Sequence, residues 1–222
     1  VIAVELWRAP LDVAEDVFAE LTATLAPAEH ARAGALRGAT ERRRFLTDHG
    51  WRRRLLGERS GRAPEAIVFV AGGHGKPRLD GGGPRFSASR SGAIALYAVC
   101  ELAEVGVDLE AVSRDGNLDR LAGRVLAPGE RTRYESAPRS ERPGALAACW
   151  TRKEAYLKAL GTGLVFPLSD LELWAGDGRP VRRLGIEVHD VAPAGAGLAG
   201  AVAVALAPGH TVAIAAIAEL GS

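Results

Sequence analysis

Three carboxylates and three lysines carry the chemistry that this sequence makes possible. Asp108 and Glu110 stand two apart in Gly106-Val107-Asp108-Leu109-Glu110. On a strand that spacing points both carboxylates to one side and Val107 and Leu109 to the other. One reading is a solvated strand end. The other is a pair of hard oxygen ligands, because Mg²⁺ is usually held by one or two carboxylates while waters and substrate phosphates complete its octahedron. Further along, Trp150, Glu154 and Lys158 recur at i, i+4 and i+8, so on a helix they share one face. Either Glu154 and Lys158 form an ordinary ion pair beside a core tryptophan, or Glu154 completes a metal site and Lys158 reaches an anionic group one turn on. Lys153 projects about 100° away from Glu154 and either contacts another part of the site or supports the helix.

Only three of the 28 basic residues are lysines: Lys76, Lys153 and Lys158. In a chain so biased toward arginine, lysine marks places where a compact, rotatable ammonium is wanted and a planar guanidinium is not. Lys76 stands in Gly72-Gly73-His74-Gly75-Lys76-Pro77, a turn by composition, without the spacing of a Walker motif. Phe86-Ser87-Ala88-Ser89-Arg90-Ser91-Gly92 reads as a second turn, able to present hydroxyl and guanidinium donors to phosphate, or else as a serine-rich turn with no ligand.

The elements that must position these residues occur twice. Leu25-Ala26-Pro27-Ala28-Glu29 returns as Leu126-Ala127-Pro128-Gly129-Glu130, an offset of 101, and the segment 68–77 returns as 171–180, an offset of 103. Between them lie two helical stretches, Arg42 to Leu56 and Leu146 to Leu160, each followed by glycine. Each half then reads as an opening strand, a helix, the Leu-Ala-Pro turn, a long helix, a strand ending in a Gly-rich turn, and apolar strands such as 94–99, 202–206 and 211–217. The expectation is an α+β pseudodimer of two similar α/β halves, each a small sheet packed with helices. The N-terminal half covers 1–104 and the C-terminal half 105–222, with a ligand cleft between them.

Composition bounds the rest. A chain of 222 residues with 47% hydrophobic content can bury a full core, and its net charge is only +1. Within that balance, 32–62 holds ten arginines against Glu41, Asp48 and Glu58. Such a run reads as a solvated helix face over a buried stripe of Phe45, Trp51 and Leu55, or as the face that meets an anionic partner. It lacks the interleaved exposed aromatics or recognised motif of a nucleic-acid site. Cys100 and Cys149 lie in apolar runs, as expected of buried reduced thiols in a cytosolic protein. No apolar run is long enough to span a membrane, so a cytoplasmic protein is expected.

Taken in order, Gly75-Lys76-Pro77, Phe86-x-x-Ser89-x-Ser91-Gly92, Gly106-Val107-Asp108-Leu109-Glu110 and Trp150-Thr151-x-Lys153-Glu154-x-x-x-Lys158-x-x-Gly161 resemble the Sfp-type 4′-phosphopantetheinyl transferases over nearly the whole chain. The resemblance implies transfer of the phosphopantetheine arm of coenzyme A onto a serine of an acyl, peptidyl or aryl carrier protein, with release of 3′,5′-ADP. It implies that Asp108, Glu110 and Glu154 hold Mg²⁺, that Glu154 is also the general base, and that Lys158 contacts the diphosphate. It gives the nucleotide phosphates to Lys76, Ser89 and Arg90. A non-catalytic coenzyme A or nucleotide binder is the alternative. Because a duplicated chain completes its own cleft, a monomer is expected. The stretch Arg114 to Arg133 is a candidate docking surface for an acidic carrier protein.

Two positions depart from the family pattern. Arg90 stands where histidine is usual, and Arg44-Phe45-x-x-x-His49 stands where the helix pattern ends in arginine. The resemblance also gives Arg44 to coenzyme A; if the exchanged His49 and Arg90 both line the 3′-phosphate pocket, its donor capacity is kept, and if protonated His49 is needed, coenzyme A affinity should weaken above pH ~6.5.

Overall fold

A computed structural model of the chain describes residues 1–112, 118–163, 167–174, 179–192 and 197–221. The first half runs β1 (Ile2–Pro10), α1 (Glu15–Ala23), α2 (Pro27–Gly34), α3 (Ala39–Ser60), β2 (Phe69–Ala71), β3 (Pro77–Leu79), β4 (Arg85–Ser91) and β5 (Ile94–Cys100). The second runs β6 (Val105–Ala111), α4 (Leu118–Val125), α5 (Pro128–Ser136), α6 (Arg142–Leu160), β7 (Val181–Arg183), β8 (Ile186–Val191) and β9 (Leu198–Ala205), followed by β10 (Val212–Ile214) and β11 (Ala218–Glu219).

The duplication is visible in the strand order. In the first sheet β1 is followed by β5 and then β4, and in the second β6 is followed by β9 and then β8, with β7 beyond it, all antiparallel. Each opening strand thus lies beside the last strand of its own half, the arrangement expected of two similar α/β halves. The end of the chain departs from a simple division at residue 104. β10 and β11 return to pair in parallel with β1 and complete the first sheet.

Alternation on each strand decides what it faces. Val105, Val107 and Leu109 of β6 join Val202 and Val204 of β9 and Ile2, Val4, Leu6, Leu96 and Ala98 of the first sheet in one buried cluster between the sheets. The opposite face of the first sheet packs Ala95, Tyr97 and Val99 against Leu21, Trp51, Leu55 and Leu56 of α1 and α3. The opposite face of the second sheet packs Ile186, Val188, Ala201 and Ala203 against Ala155, Tyr156 and Ala159 of α6. The result is four layers, helix–sheet–sheet–helix.

Three expectations need correction. Leu-Ala-Pro does not simply turn the chain. Pro27 and Pro128 open helices α2 and α5, each in the first-turn position where its missing N–H costs nothing, and Glu29 and Glu130 accept the backbone N–H groups of Ala26 and Ala127 at 2.9 and 2.8 Å. The long helices do not both stop at Leu-Gly. α6 ends at Gly161 in the left-handed region, but α3 continues through Gly57 to a left-handed Gly61. Segment 171–174 is not a ladder strand, and 175–178 lie outside the described residues.

The arginine run is also not a free cationic face. Arg43 pairs with Glu15, Arg44 with Asp12, Arg52 with Asp48, Arg53 with Glu29 and Arg59 with Glu5, while Arg59 also stacks on Trp7 and Arg54 on Trp51. Most of the local excess of charge is therefore answered within the first half. Cys100 and Cys149 are buried free thiols, and among the described residues no helix is long and apolar enough to cross a membrane.

Candidate active site

The site begins with a close approach. Gly106 faces α6, and a Cβ there would fall 2.5 Å from the Ala159 backbone nitrogen and nearer still to the Ala155 carbonyl oxygen. Only glycine lets the helix lie this close to β6. Asp108 and Glu110 follow on the same face, so the face that meets α6 carries the two carboxylates, as the period-two spacing requires. From the helix, Lys158 donates to Asp108 Oδ1 at 2.6 Å and to the Val107 carbonyl at 3.0 Å.

Glu154 lies one turn before Lys158. Its Oε1 and the Oδ2 of Asp108 are buried without a hydrogen-bond partner. Burial first, and then the charge of Asp108, raise the Glu154 pKa above the ordinary carboxylate range, with Lys158 opposing. The Glu110 pKa is also raised, by burial, then by Asp108 and by Glu154, against Lys158 and a hydrogen bond from Trp150. Buried oxygens without partners, next to carboxylates that repel one another, are what a site for a hard cation looks like. Among the described residues no group of three or more His, Cys, Asp and Glu side chains forms a ready metal cage. The donor set still suits Mg²⁺, which takes few protein carboxylates and leaves other positions to water and phosphate.

Segment 86–92, expected as a turn, is strand β4 ending in a left-handed Gly92. Its serines alternate onto one face and bind the neighbouring strand: Ser87 Oγ accepts the Val107 N–H at 3.0 Å, Ser89 donates to Asp108 Oδ1 at 2.8 Å, and Ser91 Oγ accepts the Ala111 N–H at 2.9 Å. Ser89 therefore orients a carboxylate, and the two halves are stitched together beside the site.

Two adjoining cavities open from Lys158 toward the first half. The smaller, about 240 Å³, is lined by Lys158, Gly161, His74, Lys76 and Arg52 among others. The larger, about 500 Å³, shares Arg52, Gly75 and Pro77 with it and adds Arg32, His49, Arg53, Glu29 and Glu65. Lys76 is anchored across the halves, donating to Glu104 Oε2 at 2.6 Å and the Val105 carbonyl at 3.0 Å, and its stem lies against Gly161 at the end of α6. His74 holds the turn above it with φ +51°, a left-handed conformation uncommon for a residue with a Cβ.

The structure thus brings together Asp108, Glu110, Glu154, Lys158 and Ser89, and places Lys76 and His49 on the cavity walls. It does not bring Arg44 and Arg90 there. Arg44 is bidentate to Asp12, both it and Arg90 approach Glu41, at 4.0 and 3.3 Å, and neither lines either cavity. Lys153 is fully buried, binding Glu130 and the carbonyls of Val125 and Leu168. It supports the helix and is not part of the site. In the docking stretch Arg114 to Arg133, residues 114–117 lie outside the described residues. Sequence reasoning missed Arg52, whose i, i+4 spacing to Asp48 was a readable signal, and also Arg32 and Glu104, which only the fold brings to the larger cavity and to Lys76.

This geometry accords with relatedness. The sequence profile of the 4′-phosphopantetheinyl transferase superfamily matches residues 104–194, the part that carries the carboxylates and α6. The 4′-phosphopantetheinyl transferase HetI of Nostoc sp. is 37% identical over 174 residues, covering 77% of this chain and 73% of that protein. A putative 4′-phosphopantetheinyl transferase of Synechocystis sp. is 31% identical, covering 72% of this chain and 65% of the relative. The transferase psf-1 of Bacillus pumilus is 32% identical, covering 67% and 66%. The chain belongs to the 4′-phosphopantetheinyl transferase superfamily.

Proposed function

We propose that this chain moves the phosphopantetheine arm of coenzyme A onto a serine hydroxyl of an acyl, peptidyl or aryl carrier protein and releases 3′,5′-ADP. The observation that carries the reading is the pair of buried, unpartnered carboxylate oxygens on Asp108 and Glu154, set beside Lys158 at the head of a cation-lined cleft. Binding alone would not require carboxylates there, because they repel the phosphates that the arginines attract.

The serine oxygen attacks the phosphorus that bears the pantetheine arm. A new P–O bond forms as the bond to the nucleotide-bearing phosphate breaks, and the electron pair leaves on 3′,5′-ADP. Glu154, whose carboxylate stands one turn from Lys158 beside Asp108, takes the serine proton as general base. Lys158 donates to a diphosphate oxygen and stabilises charge building on the leaving group. Ser89 keeps Asp108 in orientation. Lys76, Arg52, His49 and Arg32 hold the nucleotide phosphates. Asp108, Glu110 and Glu154 would hold Mg²⁺, which when bound neutralises charge on the diphosphate oxygens. Both walls of the cleft belong to one chain, which supports action as a monomer.

The test is the intact mass of an apo carrier protein after incubation with this protein, coenzyme A and Mg²⁺. A gain of one phosphopantetheine group, lost on chelation and in Glu154→Gln, is expected. Coenzyme A binding with no gain on several carrier proteins would favour the non-catalytic binder.

A further inference from the structure

The two halves differ at one informative place. In the second half, both oxygens of the capping Glu130 are used: Oε2 by Lys153 and the Ala127 N–H, and Oε1 by the backbone N–H of Leu173 at 2.7 Å. The chain segment after the long helix therefore lies directly on the glutamate. In the first half, Glu29 Oε2 is likewise taken by Arg53 at 2.8 Å and by the Ala26 N–H, but Oε1 meets the Nδ1 of His49 at 2.8 Å. An imidazole has taken the place of a backbone contact, and the cavity of about 500 Å³ lies beside it.

His49 is held on two sides. Its ring stacks on Phe45 with centroids 4.1 Å apart, and Glu29 fixes Nδ1 as a donor. Nε2 has no hydrogen-bond partner among the described residues, and neither has the buried Nε of Arg52 on the same cavity wall. The charged groups that line this cavity with His49 are Glu29 and Arg32 from α2, Arg52 and Arg53 from α3, and Glu65 from the turn after it, with Asp48 behind Arg52. Glu29 and Asp48 are already engaged by Arg53 and Arg52, which leaves Arg32, Glu65 and His49 as the charged or titratable groups free to answer a ligand.

We propose that His49 is the residue through which pH sets the affinity of this cavity for a phosphomonoester, the 3′-phosphate of coenzyme A on the reading given above. With Nδ1–H committed to Glu29, the neutral ring turns a lone pair toward the ligand and repels phosphate oxygen. The protonated ring turns an N–H toward it and forms a charge-assisted hydrogen bond. Binding and protonation therefore favour one another, and affinity falls as pH rises.

The experiment measures the dissociation constants of coenzyme A and of 3′-dephospho-coenzyme A by calorimetry at pH 6.0 and 8.5, for the natural chain and His49→Arg. The arginine variant reports the titration of the ligand alone. Relative to it, the natural chain should lose about tenfold in coenzyme A affinity across the range, the loss of one charge-assisted bond. For the dephospho ligand the two chains should respond alike. Proton uptake by the natural chain on binding coenzyme A at pH 7.5, read from buffers of different ionisation enthalpy, tests the same point if the variant does not fold. Equal pH slopes in the two chains, or no proton uptake, would overturn the inference and leave the transferase reading intact. No coenzyme A binding by the natural chain at either pH would overturn both.

Discussion

Replacing Gly106 by alanine perturbs the whole arrangement through a single methyl group. The new Cβ would sit 2.5 Å from the Ala159 nitrogen and closer to the Ala155 oxygen, whereas real Cβ contacts essentially never fall under 3.0 Å. α6 must therefore move from β6 by at least about half an ångström, and both atoms in the way are backbone, so no side-chain rotation relieves the clash. Overpacking of this kind costs about 1–3 kcal/mol. The same shift draws Glu154 and Lys158 away from Asp108, and misplacement by an ångström costs about a hundredfold, so a loss of tenfold to a hundredfold in kcat/KM is expected. Urea unfolding and carrier-protein modification followed by intact mass measure the two effects on one preparation. Because the helix is the common cause, both should move together. A Gly106→Ala protein of unchanged stability and full activity would refute the argument that this approach builds the site.

Three further outcomes are expected. Lys153→Met leaves Glu130 buried without its cation, so urea unfolding should show a loss of about 3–5 kcal/mol, with Lys153→Arg recovering part of it; an exposed supporting role would lose far less. Burial alone would raise the Glu29 pKa, but hydrogen bonds from His49 and the Ala26 N–H and the charge of Arg53 hold it down to about 2. Its contribution, on the order of 2 kcal/mol after solvent screening, is present above pH ~4.5 and lost as pH falls toward 2. The stability gap between the natural chain and Glu29→Gln should therefore close over that window, and a gap constant from pH 6 to 2 would show that Glu29 does not titrate as argued. Burial pushes the Cys149 thiol up to about 12, so it should stay unreactive toward disulfide reagents at pH 8 until the chain is unfolded, and rapid labelling in the native state would contradict that burial.

What sequence alone determined are the properties that depend on spacing along one element. The period of two placed Asp108 and Glu110 on one face, the period of 3.6 placed Glu154 and Lys158 on another, and the repeated Leu-Ala-Pro-x-Glu disclosed the duplication. Those relations survive folding because they are set by local backbone geometry. The tertiary structure decided everything that depends on which distant segments meet. Ser89 reads as a phosphate donor until β4 is laid beside β6 and its hydroxyl is given to Asp108. Lys153 has the same chemistry as Lys158, but one helical position sends it into the core against Glu130 while the other reaches Asp108. Arg44 and Arg90 belong to the motif yet turn toward Asp12 and Glu41, and Arg52, outside it, lines both cavities. A charged side chain goes to the partner that compensates its burial, and that partner is chosen by packing between elements far apart in the chain, as Lys158 and Asp108 are at a separation of 50 residues, which no local pattern records.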